Sequence, residues 1–268
     1  MTAAPAVRRV LLTGDVHGNT SWVTGHVLSQ AKKHRCDLIL QLGDFGIWPG
    51  NGGRRYLDVV DRAAARARIP IWFIDGNHED FEQLSKLPLD GAGRRPVRDN
   101  ITHLPRGYRW EWAGRIMLAC GGASSVDVMS RLPGVSWWPQ EAITREEVDR
   151  CVAGGRADVL FSHDICLDVD LVSRHDGLEL PAIVQDLVYA NRLALQTIVD
   201  GVTPRLQVHG HWHIPRDQFV HRGVEPQIVR VVSLNCDSGA ADLSNGHCAV
   251  LDLEVLAEDV VNAVQVID

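Results

Sequence analysis

The sequence predicts an α/β domain built around a largely parallel sheet, and three observations carry that expectation. Short apolar runs alternate with amphipathic, helix-period stretches through the first third of the chain. Each of those apolar runs ends in glycine and polar residues, as parallel strands do where the chain leaves the sheet. The tail instead reads as antiparallel strands joined by glycine-rich turns. The 268 residues and the 45% hydrophobic content suffice for one sizeable core. No repeat, low-complexity tract or linker divides the chain, so a single domain over residues 1–268 is expected.

Taken in order, "VRRVLLTGD" is a buried strand and "TSWVTGHVLSQAKKHRC" a helix with a Thr/Ser start. "DLILQLGD" is a second strand, "GRRYLDVVDRAAARARI" an amphipathic helix, and "PIWFIDGNHED" a third strand. "NITHLPRGYRWEWAGRIMLACGGA" alternates and turns at "AGR", which predicts a hairpin or meander. "SSVDVMSRLPGVSWWPQEAIT" has no period; together with the glycines before it, it is expected to be a loop insertion at about 121–143, and such loops are usually functional. "REEVDRCVAGG" predicts a short helix, "ADVLFSHD" a strand, "LPAIVQDLVYANRLALQTIVDG" a long helix and "RLQVHGHWH" another strand.

Bulk properties narrow the function classes. The net charge of −7 argues against tight non-specific binding to nucleic acid. No signal peptide is evident, and no apolar stretch approaches the roughly 20 residues that cross a bilayer. A soluble, cytoplasmic protein is expected. None of the six cysteines forms a C-x-x-C pair, so reduced thiols are expected rather than disulfides or a zinc knuckle.

Five blocks place polar residues at the carboxyl ends of predicted strands: "GDVHG" (14–18), "GDFG" (43–46), "GNHE" (76–79), "SHD" (162–164) and "GHWH" (210–213). Ligands bind at that edge of α/β sheets. Strand alternation would turn Asp15 and His17 the same way, and likewise His211 and His213, with Trp212 directed elsewhere. The donors number two carboxylates (Asp15, Asp44), one amide (Asn77) and four imidazoles (His17, His163, His211, His213). Seven ligands exceed one tetrahedral zinc and suit two metals sharing a carboxylate. Nitrogen and oxygen donors without thiolate point to Mn, Fe or Zn, with Mn the first choice. Any one block alone is weak, since a lone histidine near a strand end is usually structural. The five together leave little room for coincidence.

In these five blocks, which span Asp15 to His213, the sequence resembles the calcineurin-like metallophosphoesterase superfamily, with its D-x-H, G-D, G-N-H-D/E, H and G-H-x-H series. The resemblance implies a four-layer αββα sandwich with two central mixed β-sheets and a dinuclear centre. It implies one metal on Asp15, His17 and His213, a second on Asn77, His163 and His211, and Asp44 bridging them. His78 matches the family's catalytic histidine. Phosphate ester hydrolysis through a metal-activated water follows, with His78 protonating the leaving alkoxide or stabilising its charge. A protonated His78 near pH 6 to 7 would suit that role. His209 reads as a buried strand histidine or a partner of a ligand. For His26, His34, His103, His175, His221 and His247, solvent or packing is the default.

Departures from the family narrow the substrate. Protein Ser/Thr phosphatases of this superfamily carry G-D-x-x-D-R-G, whereas this chain has "GDFGIWPG". Ile47 stands where an Asp would orient the catalytic histidine, and Trp48 where an Arg would clamp phosphate. Purple acid phosphatases have a tyrosine ligand at the Ile47 position. Neither branch fits. The 121–143 segment resembles a Gly-Gly-Ala…Trp-Trp-Pro segment of small bacterial and phage members. Within it Arg131 could replace the clamp, and Trp137 and Trp138 could stack on a base or cap the site. Alternatively the tryptophans fill the loop's own core and Arg131 pairs with Asp127. A phosphodiesterase acting on small nucleotides or cyclic nucleotides leads, because a dianionic monoester gains more from the absent clamp than a diester does. A broad-specificity phosphomonoesterase, a nuclease and a non-catalytic metal-bound scaffold are the competing readings.

Overall fold

The computed structural model describes residues 7–169, 180–222, 227–237 and 245–268. Strand β1 (Arg9–Thr13) leads through a π-helical stretch (Trp22–Val27) into helix α1 (Leu28–Lys33). Then come β2 (Leu38–Gln41), α2 (Gly50–Ala67), β3 (Ile71–Phe73) and α3 (Phe81–Lys86). Strands β4 (Arg95–Arg98), β5 (Ile101–His103), β6 (Arg109–Trp112) and β7 (Arg115–Cys120) precede α4 (Arg145–Ala153). The order continues β8 (Val159–Ser162), α5 (Ala182–Val202), β9 (Leu206–His209), β10 (Arg216–Arg222), β11 (Gln227–Ser233), β12 (Cys248–Asp252), α6 (Leu253–Glu258) and β13 (Val264–Ile267).

The strands form two mixed sheets, ordered β13-β12-β1-β2-β3-β5-β4 and β10-β11-β9-β8-β7-β6. Alternation along the strands sorts the core into layers. Val10, Leu12, Leu38, Leu40, Met117, Ala119, Val159 and Phe161 meet in one apolar cluster between the sheets. Their neighbours Leu11, Ile39, Ile71 and Phe73 pack outward on Val27, Leu28, Leu57 and Val60 of the flanking helices. On the far side Leu118 and Leu160 pack on Val148, Cys151, Ile198 and Val202 of α4 and α5. Helix, sheet, sheet and helix therefore stack as expected from the family resemblance. Every residue of β2, β8 and β9 is buried, as central parallel strands require.

Several details differ from the sequence reading. Helix α3 spans six residues and starts at Asp80, whose side chain accepts from Gln83 N; it is too short to show a period. Strand β4 is an edge strand containing Pro96, a residue that reads as loop and is tolerated at an edge. The segment after Asn100 divides between sheets: β5 runs parallel to β3, while β6 and β7 form a hairpin in the other sheet. That hairpin turns at Ala113 (φ 51°) and Gly114 (φ 73°), the paired left-handed conformations of a tight hairpin turn. In the tail, β10–β11 and β12–β13 are antiparallel, but β11 runs parallel to β9. All six cysteines are free thiols. No helix among the described residues is long and apolar enough to cross a membrane.

Candidate metal centre

Strands β1, β2 and β3 run parallel in one sheet, and β7, β8 and β9 in the other. Their carboxyl ends bring the five polar blocks to one place. The ligand directions do not come from strand alternation, because β1 ends at Thr13 and β9 at His209, short of the residues concerned. They come from left-handed turns: His17 (φ 41°), Asp44 (φ 56°), His211 (φ 68°) and His213 (φ 55°) all have positive φ. Such backbone is costly for non-glycine residues and marks sites that the surrounding structure holds in place. Glycine is required beside them. A Cβ on Gly43, itself at φ 100°, would run into the His163 imidazole, and one on Gly76 into the Asp44 carboxylate.

Two groups of donors result. Asp15, His17 and His213 bring their ligand atoms within 4.8 Å of one another, and so do Asp44, His163 and His211. Neighbouring histidines of "GHWH" thus fall into different groups, with Trp212 between them turned away to donate from Nε1 to Asp164 at 2.9 Å. Asn77 Oδ1 lies 3.2 Å from His163 Nε2, and Asn77 Nδ2 donates to Ser125 Oγ at 3.0 Å, so the amide oxygen faces the cluster. Asp44 Oδ2 stands between the groups, 3.6 Å from His17 Nε2 and 3.5 Å from His163 Nε2.

The surroundings orient each donor. Asp44 Oδ1 accepts from the backbone N–H of His78 at 2.8 Å, and Asp15 Oδ1 from that of His211 at 3.0 Å, which leaves each Oδ2 toward the cluster. His163 Nδ1 is 2.7 Å from the Leu42 carbonyl, and His17 Nδ1 is 2.8 Å from Asp237 Oδ1. Both imidazoles thus present Nε2 inward, the arrangement found around metal-binding histidines. The chemistry of the donors fits divalent cations: hard carboxylate and amide oxygens with imidazole nitrogens, and no thiolate.

Electrostatics point the same way. Burial pushes the Asp15 carboxyl up, but His163 and His213 outweigh it and hold it at about 2. Burial likewise opposes ionisation of Asp44, yet His78 and His163 draw it well below the carboxylate range. The carboxylates lift His163 to about 9 against its burial. Two buried anions demand compensating positive charge, whether from protonated imidazoles or from cations. His211 is pushed down to about 4, mainly by burial, and is therefore neutral, as a ligand must be.

His78 lies beside this cluster, its Nε2 3.8 Å from Asp44 Oδ2. Where Ile47 leaves the usual orienting carboxylate missing, Arg131 is at hand. Its Nη2 lies 2.8 Å from His78 Nδ1 and 2.5 Å from Nε2. The same guanidinium donates to Asp127 Oδ1 at 2.7 Å and to the Ser136 carbonyl at 3.2 Å. The Asp127 pairing and the reach into the site therefore coexist. Burial first, then Arg131 and His17, lower the His78 pKa against the pull of Asp44, so the protonated form expected near pH 6 to 7 is disfavoured here.

A cleft of about 480 Å³ opens over His78, lined by Trp48, Arg131, Val135 and Trp138 among others. Trp137 is not in that lining; its backbone closes the turn at Gly134. His209 is buried on β9 with Nδ1 against the Gly210 carbonyl, as a strand histidine. His103 departs from the default, since its Nε2 is bonded to Asp75 at 3.0 Å within a buried network. His26 pairs with Asp268 at 2.9 Å, and His175 lies outside the described residues.

Sequence reasoning missed the supporting groups. Glu79, fully buried, accepts from the backbone N–H groups of Phe45, Gly46 and Ile47 and so shapes the turn after Asp44. Its place in the "GNHE" block was the available signal. Glu141 holds Ser125 at 2.6 Å, and Ser125 holds Asn77. Asp237 anchors His17, and no sequence pattern distinguishes it.

A family model for calcineurin-like phosphoesterases matches residues 8–215. No curated protein matches the chain. Among solved structures, a hypothetical protein from Thermus thermophilus aligns over 95% of this chain and 84% of its own, at 14% identity and TM-score 0.42. A predicted phosphoesterase from Streptococcus pneumoniae covers 92% and 83%, at 12% identity and TM-score 0.35. A phosphopantetheinyl hydrolase from Mycobacterium tuberculosis covers 87% and 91%, at 16% identity and TM-score 0.39. With the family match running through all five polar blocks, the chain belongs to the calcineurin-like phosphoesterases.

Proposed function

We propose that the protein is a dinuclear phosphodiesterase acting on small nucleotides or cyclic nucleotides. Asp15, His17 and His213 would hold one divalent cation, Asn77, His163 and His211 the other, and Asp44 Oδ2 would be shared. Mn is the first choice, with Fe or Zn as alternatives. Bound there, the cations supply Lewis acidity that ionises water near neutral pH and offsets phosphoryl charge. The chain's own residues position and protonate. Arg131 Nη2 lies against both ring nitrogens of His78 and so holds the ring beside Asp44. A neutral His78 keeps one N–H, the donor available to the departing oxygen. Asn77 is held by Ser125, so its oxygen stays directed at the cluster.

The observation that carries the diester reading is the cleft. Its lining sets the Arg131 guanidinium, paired with Asp127, beside the exposed indole of Trp48, while Trp138 is buried. With Asp127 balancing Arg131 the cleft offers little surplus positive charge, which suits a monoanionic diester better than a dianionic monoester, and the Trp48 face matches a nucleobase. Arg131 also supports the second reading, a phosphomonoesterase, because its guanidinium already stands beside His78. One domain with residues 121–143 as its specificity-bearing insertion, and a cytoplasmic setting that keeps six thiols reduced, belong to the same proposal.

The test is to strip metal, restore Mn²⁺, and compare a bis-aryl phosphodiester with the matching aryl monoester. Turnover of the diester is expected to need metal and to fall about 10²- to 10⁴-fold in His78→Ala, with metal content unchanged. A clear monoester preference would move the assignment to a phosphatase with Arg131 as clamp. Two bound metals with no turnover of either ester would favour a scaffold.

A further inference from the structure

A second cavity, about 190 Å³, lies apart from the His78 cleft. Its charged lining is Asp75, Arg95, His103, Arg106, Glu147 and Arg150. Topology explains the grouping. Arg95 on β4 and His103 on β5 are direct cross-strand partners in an antiparallel pair, so both side chains leave the same face. Arg106 follows at the crossing between sheets, and Glu147 and Arg150 stand one helical turn apart on α4.

The charges are not evenly satisfied. Arg106 uses its donors on Asp75, Glu147 and three backbone carbonyls at 2.7–2.9 Å. Asp75 and Glu147 are thereby committed to Arg106, and Asp75 also to His103 Nε2. Two cations are left on the cavity with little to pair with. His103 gives its Nε2–H to the Asp75 carboxylate and stays neutral, so it offers no further donor. Arg95 has no ion pair among the described residues, and burial together with the nearby charge of Arg150 disfavours its own charge. Arg150 reaches only Glu147, at 3.9 Å, and its side chain is 58% exposed. Two guanidinium groups on one small cavity repel, and with Asp75 and Glu147 committed to Arg106 the cavity calls for an anion between them. At 190 Å³ the space is below the roughly 300 Å³ at which pockets for drug-sized ligands begin, so the anion must be small.

We propose that this cavity binds a small oxyanion, such as inorganic phosphate, through Arg95 and Arg150. The site is independent of the assignment made for the metal centre, and it stands directly behind it in the chain. Asp75 precedes the Gly76–Asn77–His78 turn, and its carbonyl accepts from Gly122 at the start of the segment that carries Arg131. Arg106 holds the carbonyls of Gln140, Glu141 and Ala142 at that segment's other end. An anion bound here would bear on both ends of the loop over the cleft.

The experiment is calorimetric titration of inorganic phosphate into the metal-loaded full chain, with chloride at matched ionic strength as the control for screening. Wild type is compared with Arg150→Gln and Arg95→Gln. Both positions are outside the proposed catalytic groups, and the exposure of Arg150 makes its variant safe for folding if Arg95→Gln proves unstable. The expected result is one class of phosphate site weakened about tenfold or more in each variant, the loss of a charge-assisted hydrogen bond, while phosphate held at the metal centre is unchanged. Isotherms that superimpose across all three proteins would overturn the proposal, and so would phosphate binding confined to the metal centre. Because the readout is binding, a failure of the phosphodiesterase reading would not produce either pattern.

Discussion

Arg106→Gln should be among the most destabilising single changes in the protein. The side chain is 4% exposed and ties three parts of the molecule together. Nε and Nη2 meet Asp75 Oδ2 at 2.8 and 2.7 Å, and Nη1 meets Glu147 at 2.8 Å. The remaining bonds go to the carbonyls of residues 140–142. Against the upward push of burial, Arg106 first and His103 second hold the Asp75 carboxyl well below its ordinary range. Removing the guanidinium leaves a buried carboxylate with one histidine for company. Breaking a buried pair in this way costs about 3–5 kcal/mol. For a chain of this size each kcal/mol moves the thermal midpoint by roughly 2–4 °C, so a drop of roughly 6–20 °C is expected. Urea denaturation at pH 7 gives the free energy directly, and Asp75→Asn in the same background should recover part of it. The sign with pH is fixed. Asp75 is depressed in the folded state, so its contribution is complete above the unfolded value of 3.8 and is lost as the pH falls below it. A cost under about 1 kcal/mol at pH 7 would refute the view that the network is a buried, mutually dependent set.

Two further outcomes follow from the site. His209 is held at about 4, mainly by burial, against an ordinary 6.5. Here the unfolded chain takes up the proton first, so the stability associated with a neutral His209 is whole above pH 6.5 and declines to about pH 4, by roughly 3 kcal/mol. His209→Gln should flatten the pH dependence of urea midpoints in that window by this amount; parallel curves would mean that His209 titrates normally. Arg131→Lys should lower kcat about 10- to 100-fold with metal content unchanged, because one ammonium cannot serve Asp127, Ser136 and His78 as the planar fork does. Equal kcat in the variant would remove Arg131 from the positioning of His78.

Much of this molecule can be read from residue order alone, and the physical reason is locality. Apolar runs such as "VRRVLLTGD", "DLILQLGD" and "ADVLFSHD" announce buried strands because a strand's burial is written in its own residues. The candidate donors of the proposed centre are legible because parallel strands deliver their carboxyl ends to one edge, so Asp15, Asp44, Asn77, His163, His211 and His213 can be named as candidates before any distance is known. Everything that depends on a partner far along the chain is hidden. The direction of each donor is set by left-handed turns and by backbone N–H groups such as that of His211 on Asp15, 196 residues away. Asp237 reaches His17 across 220 residues, and Arg131 reaches His78 across 53. Strand alternation predicts that His211 and His213 face one way; the end of β9 at His209 sends them into different groups. The pairing of Arg95 with His103, which creates the second cavity, exists only because an edge strand of unremarkable composition docks against β5. Sequence determined the chemistry available and the edge at which it gathers. Tertiary structure alone decided which oxygen or nitrogen of each group faces inward, because that choice is made by hydrogen bonds between segments the chain keeps far apart.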